Sequence, residues 1–202
     1  MAAENDGLNG PAPDDPHRIA PVSESFAALM RETTWEPDCP VAIEELRTLT
    51  VPYVTFDGGH AEGELIVHHE VADELLGLFA ALYADRFPIA RIEPIEHVGG
   101  DDDAAMAANL TTAFNCRRVT GGSRWSEHAY GWAVDINPIQ NPYQRGDTVL
   151  PPEGEPYLDR DDVRPGMLTR PGPIDHVDRM GWGWGGDWSS LLDHMHISLT
   201  GR

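Results

Sequence analysis

The chain has 202 residues, 41% of them hydrophobic, with 14 basic against 34 acidic residues and a formal charge of -20. That length suits one domain with a core, and no stretch approaches the roughly 18 apolar residues of a membrane span. Nucleic acid and anionic membranes call for clustered Lys and Arg, which this balance does not supply; the excess acid reads as a self-repelling, soluble surface.

The opening MAAENDGLNGPAPDDPHRIAP has neither the basic start nor the apolar run of a secretory signal. Residues 1–38, rich in Pro, Asp and Gly, predict a flexible N-terminal arm, and residues 39–202 a single domain. The two cysteines, Cys39 and Cys116, are too few and too far apart for a cysteine zinc site. A disulfide and two buried thiols fit them equally well. IEELRTL (43–49) predicts a short helix. TVPYVTF (50–56) predicts a strand that Pro52 confines to an edge, and GELIVH (63–68) a second strand. From Glu70 to Arg86, Val71, Leu75, Leu78, Phe79 and Leu82 recur at helical spacing, so a helix with one apolar stripe is expected there, stopped by Pro88. IARIEPI (89–95) reads as a strand, Asp101–Asp103 as a solvated loop, MAANL as one or two helical turns and AFNCRRV (113–119) as extended chain. Residues 139–173 carry seven prolines and predict a long loop of the kind that covers a site. IDHVDRMGW (174–182) suggests a short helix and HISL (196–199) the last strand. Strands and helices do not alternate regularly, which favours α+β with an antiparallel sheet.

Two segments carry the chemistry. In SRWSEHAYGWAVDINP (123–138) Gly131 breaks any helix. After it, Trp132, Val134 and Ile136 share one face of a strand, and Ala133, Asp135 and Asn137 the other. The bulky face can pack in a core while Asp135 lines a cleft, and the HAYG turn can return His128 over the same face. The second segment is Asp193-His194-Met195-His196. A continuous strand would put His194, His196 and Ser198 on one side. Asp193 and His196 would converge only if a turn fell between them. Together the segments offer three ligands and a spare acid. Two histidines and one carboxylate suit catalytic zinc, which keeps a fourth position for water. No G-x-S-x-G elbow surrounds Ser126, which excludes it as a nucleophile.

SEHAYGWAVD resembles the S-x-H-x-x-G-x-A-x-D signature of the zinc D-alanyl-D-alanine carboxypeptidase and L-alanyl-D-glutamate endopeptidase family, and DHMH resembles that family's second motif. Similarity is read from about Cys39 to the end, through GELIVH, RFPI, AFNCR, DINPIQNPY and GWGWGGDW. The resemblance implies a hedgehog/DD-peptidase-like α+β fold, with helices packed on one side of an antiparallel sheet. It implies Zn2+ on His128, Asp135 and His196, with His194 a rival for the last place. Asp193 becomes the catalytic acid/base, where many relatives have glutamate. In NCRR, Arg117 is taken as the partner of the developing oxyanion and Arg118 as a substrate contact; alternation turns one of the two into the cleft, and which one stays open. Ser126, Trp184 and His194 are further substrate contacts; Trp188 is an alternative wall for the cleft, and Asp187 a partner for a ligand histidine. The activity implied is hydrolysis of an amide in the peptidoglycan stem peptide, at D-Ala-D-Ala or L-Ala-D-Glu, by a monomer acting at the cell wall. The alternative is a catalytically silent zinc-containing module of the same fold.

Overall fold

The computed structural model describes residues 18–119 and 121–202. In chain order it has β1 (Arg18–Pro21), α1 (Glu24–Thr33), β2 (Leu46–Val54), β3 (His60–His68), α2 (Ala72–Ala84), β4 (Arg91–Ile92), α3 (Asp102–Ala107) and β5 (Leu110–Thr111). Then come β6 (Ala133–Asp135), β7 (Tyr143–Arg145), β8 (Thr148–Leu150), α4 (Ile174–Met180), β9 (Gly183–Trp184), β10 (Leu192–Asp193) and β11 (His196–Ser198). The fold is α+β. Its antiparallel strands fall into three small sheets, β1-β2-β3, β6-β11-β9 and β10-β7-β8, with a parallel pair β4-β5 between them in the chain.

Strict alternation explains the first sheet. Leu49, Val51, Leu65 and Val67 face α2, where Leu75, Leu78, Phe79 and Leu82 meet them in the main core. Leu46 and Ile66, one step out of phase, face the other way and pack with Ala27 and Met30 of α1. Helices therefore lie on both faces of this sheet rather than on one. Each such side chain, fully buried, contributes about 1.5–3 kcal/mol. The helix expected from Glu70 to Arg86 is present in its central part, with Val71 at its N-cap and Asp85 at its C-cap.

Several expectations need correction. An arm reaching residue 38 does not fit: from Arg18 the chain pairs with β2, and α1 follows, capped by the Ser23 hydroxyl accepting from Phe26 N at 3.2 Å. The part of that arm in residues 1–17 lies outside the described residues. IEELRTL is a single 3-10 turn (Ile43–Glu45) running straight into β2. Pro52 sits in the middle strand of the sheet rather than on an edge, two residues past Thr50, the partner of Arg18. IARIEPI keeps only two strand residues, and the Asp101–Asp103 run starts α3, with Asp101 as its N-cap. The proline-rich 139–173 segment is not a plain loop. It contains the β7–β8 hairpin and a 3-10 helix (Pro152–Tyr157), and Arg160 ties it together through the main-chain oxygens of Gln140 and Leu168. Cys39 and Cys116 form a disulfide with their Cα atoms 5.9 Å apart.

Candidate active site

The strand pair β6–β11 builds the centre of the site. Val134 and Ile197 are cross-strand partners that point into the core. Their neighbours Asp135 and His196, also directly paired, point the opposite way into a cleft. His128 reaches the same cleft from a 3-10 turn (Glu127–Tyr130) closed by Gly131 in the left-handed region, φ +68°. A side chain at Gly131 would also come within 2.6 Å of His68 N, so turn and packing both require glycine there.

His128 Nε2 lies 3.2 Å from Asp135 Oδ2 and 3.1 Å from His196 Nδ1, and His196 Nδ1 lies 3.2 Å from Asp135 Oδ1. The outward ring nitrogens decide the chemistry. His128 Nδ1 donates to the Ala113 carbonyl at 2.5 Å, and His196 Nε2 to the Arg202 main-chain oxygen at 2.9 Å. A carbonyl only accepts, so those nitrogens hold the protons and the inward ones present lone pairs. Three potential ligand atoms, all within 4.8 Å of one another, thus converge, and with both rings neutral each presents a lone pair. Such a cluster fits a divalent cation, and the carbonyl-anchored imidazoles have the outer hydrogen bonds that metal-binding histidines carry. Burial alone would raise the Asp135 carboxyl, but the charge and hydrogen bonds of the two imidazoles outweigh it and hold the group far below the usual range. Burial alone would lower His196, but its hydrogen bond to Asp135 and that group's charge raise it.

Asp193 completes the cluster. A turn at His194–Met195 separates β10 from β11, and this brings Asp193 and His196 to the same cavity. Gly185 allows the close approach of the Trp-rich loop behind it: a Cβ there would lie 2.9 Å from Asp193 Cβ. Asp193 Oδ1 is buried with no hydrogen-bond partner among the described residues. Burial, with the Asp135 charge added, pushes its carboxyl up to about 6, partly offset by His196, His128 and Arg117. This is the range of a working general base.

The cavity around these groups has a volume of about 310 Å³. Arg117 lines it, held from behind by an ion pair with Asp102, whose other oxygen accepts from Asn115 Nδ2 at 2.8 Å. Ser126 lines it too, its hydroxyl accepting from His128 N at 3.4 Å. Four assignments do not place as expected. Arg118 turns outward, stacked on Trp125 at 4.0 Å and 3.8 Å from Asp38. His194 does not line the cavity: the same turn that brings Asp193 in rotates His194 into the protein, beside Trp184, and burial pushes its imidazole down to about 4. Trp184 donates to the His194 carbonyl at 2.8 Å and packs on the core. Trp188 walls the cleft instead, its ring 5.4 Å from that of His196. Asp187 pairs with Arg170 rather than with His128 or His196. Reasoning from sequence missed Tyr143 and Arg145, which line the cleft from the hairpin.

Residues 120–199 match the family model described as D-alanyl-D-alanine carboxypeptidase. The match supports the family read from the two motifs, and both motifs lie inside it. It begins after Arg117, so the resemblance over Cys39–Val119 rests on the residues themselves. No curated protein and no solved structure matches the chain.

Proposed function

We propose that this chain is a zinc-dependent peptidase that hydrolyses an amide bond in the peptidoglycan stem peptide. The observation that carries the reading is the three-acceptor cluster of His128, Asp135 and His196, with the orphaned Asp193 oxygen in the same cleft. The family match over 120–199 supports a peptidase of this type.

A zinc ion held by His128, Asp135 and His196 would supply Lewis-acid polarisation of the scissile carbonyl and bring the pKa of a water down to about 7. Asp193 accepts the proton of the attacking water as its oxygen bonds to the carbonyl carbon. It returns that proton to the amine as the C–N bond breaks, leaving a carboxylate and a free amine. The Arg117 guanidinium, fixed by Asp102, faces the negative charge that develops on the carbonyl oxygen. Trp188 and the hairpin shield the reacting atoms from bulk water, which strengthens each of these interactions.

The test is metal analysis of the dialysed protein, followed by digestion of purified stem peptides with product identification by mass spectrometry. One zinc per chain and a single cleaved bond are expected, either loss of a terminal D-Ala or a cut at L-Ala–D-Glu. Zinc binding without any product would instead establish the silent module. A His128→Ala variant that keeps full zinc would refute the ligand set.

A further inference from the structure

Ser198 lies two residues beyond His196 on β11, so the hydroxyl and the imidazole face the same side. Past Ser198 the chain doubles back. Gly201 N donates to the Ser198 carbonyl at 3.3 Å, with Gly201 in the left-handed region at φ +74°. This return brings the Arg202 main-chain oxygen to 2.9 Å from His196 Nε2. The same oxygen accepts from the Ser198 hydroxyl at 3.1 Å, so both of its lone pairs are used. The hydroxyl in turn accepts from Arg202 N at 3.1 Å. One fully buried side chain thus fixes both main-chain polar groups of Arg202. Trp188 braces the strap one residue earlier, its Nε1 donating to the Gly201 carbonyl at 2.9 Å. Gly183 lets the strap lie against β9, since a Cβ there would come within 2.2 Å of Gly201 Cα.

The two imidazoles of the cluster are therefore anchored differently. His128 bonds to the Ala113 carbonyl, in a segment tied by main-chain hydrogen bonds, Phe114 N to Ile66 O and Asn115 N to His128 O. The acceptor for His196 lies on a strap whose ties run through two side chains, Ser198 and Trp188.

We propose that Ser198 is a positioning residue for the metal centre. Acting through the Arg202 main-chain oxygen, it holds the His196 ring with Nδ1 turned toward His128 and Asp135. The inference rests on the reading of His196 as a zinc ligand and adds what keeps that ligand in place. A hydroxyl suits the task because it donates and accepts at once. Its loss leaves Arg202 N unpaired, frees the strap and removes the fixed partner of His196 Nε2. Losing such an outer partner of a ligand histidine costs about 10–100-fold in metal affinity.

The experiment measures zinc affinity of the full chain by competition with a chromophoric chelator. Ser198→Ala should bind zinc about tenfold more weakly than the parent. Trp188→Phe, which keeps a ring but loses the N–H, should bind it about threefold more weakly. Phe79→Ala, a lesion in the main core, controls for stability and should keep the parent's affinity. Parent affinity in Ser198→Ala overturns the proposal, as does an equal loss in Phe79→Ala. Should Ser198→Ala fail to fold, Trp188→Phe carries the test, and parent affinity there overturns it. If the parent itself binds no zinc, the metal reading fails separately, and proton NMR of the metal-free protein decides Ser198. The His196 Nε2–H should then give a slowly exchanging downfield signal in the parent that is lost in Ser198→Ala. The same signal in both proteins would show that the strap does not hold the ring.

Discussion

The β1-β2-β3 sheet and the β6-β11-β9 sheet are built on the same alternation and use it differently. In the first, Leu49 and Val67 face α2 while Leu46 and Ile66 face α1, so both sides are apolar at this end. In the second, Val134 and Ile197 face the core while Asp135 and His196 face a cleft beside His128. One sheet holds the protein folded. The other uses one side for folding and gathers on the opposite side three groups that could hold a metal ion. Lesions in the two places should therefore separate: the first should cost stability and spare chemistry, the second the reverse.

The largest effect should come from Asp193→Asn. Losing the proton acceptor should lower kcat about 10³–10⁴-fold, near the upper end for general base catalysis, with zinc content unchanged. Turnover within tenfold of the parent would break the division, because the cleft's spare acid would then be idle. Next is Phe79→Ala in α2, a side chain 1% exposed. It should destabilise by about 3–5 kcal/mol, read as a lower denaturation midpoint. The fraction that remains folded should bind zinc as the parent does. The disulfide lies between these extremes. It closes a separation of 77 residues and anchors Cys116, next to Arg117. Cys39→Ser should cost about 2–4 kcal/mol and also raise KM, since the segment carrying the arginine is released.

A subtler probe uses protons. In the metal-free protein the Asp193 carboxyl is raised to about 6, first by burial and then by Asp135. A raised carboxyl contributes stability below the unfolded value near 3.8 and loses it as pH climbs through 6. Asp193→Asn abolishes that loss. Chelator-treated Asp193→Asn should be more stable than the parent at pH 7.5, by about 1–2 kcal/mol after solvent screening, and no more stable at pH 3.5. Urea melts at the two pH values check this. No gain at pH 7.5 would mean that the acid sits there without strain.

How much of this was readable depended on whether local rules decided the outcome. His128 and Asp135 were legible because Gly131 and the Trp132–Ile136 alternation leave one arrangement. The convergence of Asp193 and His196 was legible only as a condition, a turn between them, and that turn also buried His194. Arg117 and Arg118 are adjacent and chemically alike; the hydrogen bonds that tie Phe114 to Ile66 and Ser126 to Arg117 choose between them, and the first spans 48 residues of chain. Trp184 and Trp188 are separated by a 3-10 turn that no periodicity announces. The β7–β8 hairpin did leave a signal: Gly146-Asp147 between YQR and TVL is a two-residue turn pair, with Gly146 at φ +58°. The surrounding prolines outweighed it. The Ser23 cap of α1 was hidden in the same way by the composition of residues 1–38.

Ser126 gives the smallest effect and the finest test of the boundary between the two regions. Its hydroxyl lines the cleft, yet it accepts from His128 N at 3.4 Å and caps the turn that carries His128. As a cap alone, Ser126→Ala should cost about 0.5–1 kcal/mol, the low end for such a long bond. Zinc affinity should fall a few-fold because the His128 turn loosens, and KM should stay within twofold. If the hydroxyl instead binds substrate, KM rises several-fold at unchanged zinc affinity, and Ser126→Thr, which keeps the hydroxyl, restores it. Zinc titration and steady-state kinetics on the same two variants separate the cases. The first outcome would make Ser126 part of the scaffold that reaches into the cleft, and the second would move the boundary of the chemical region one residue further from the metal ligands.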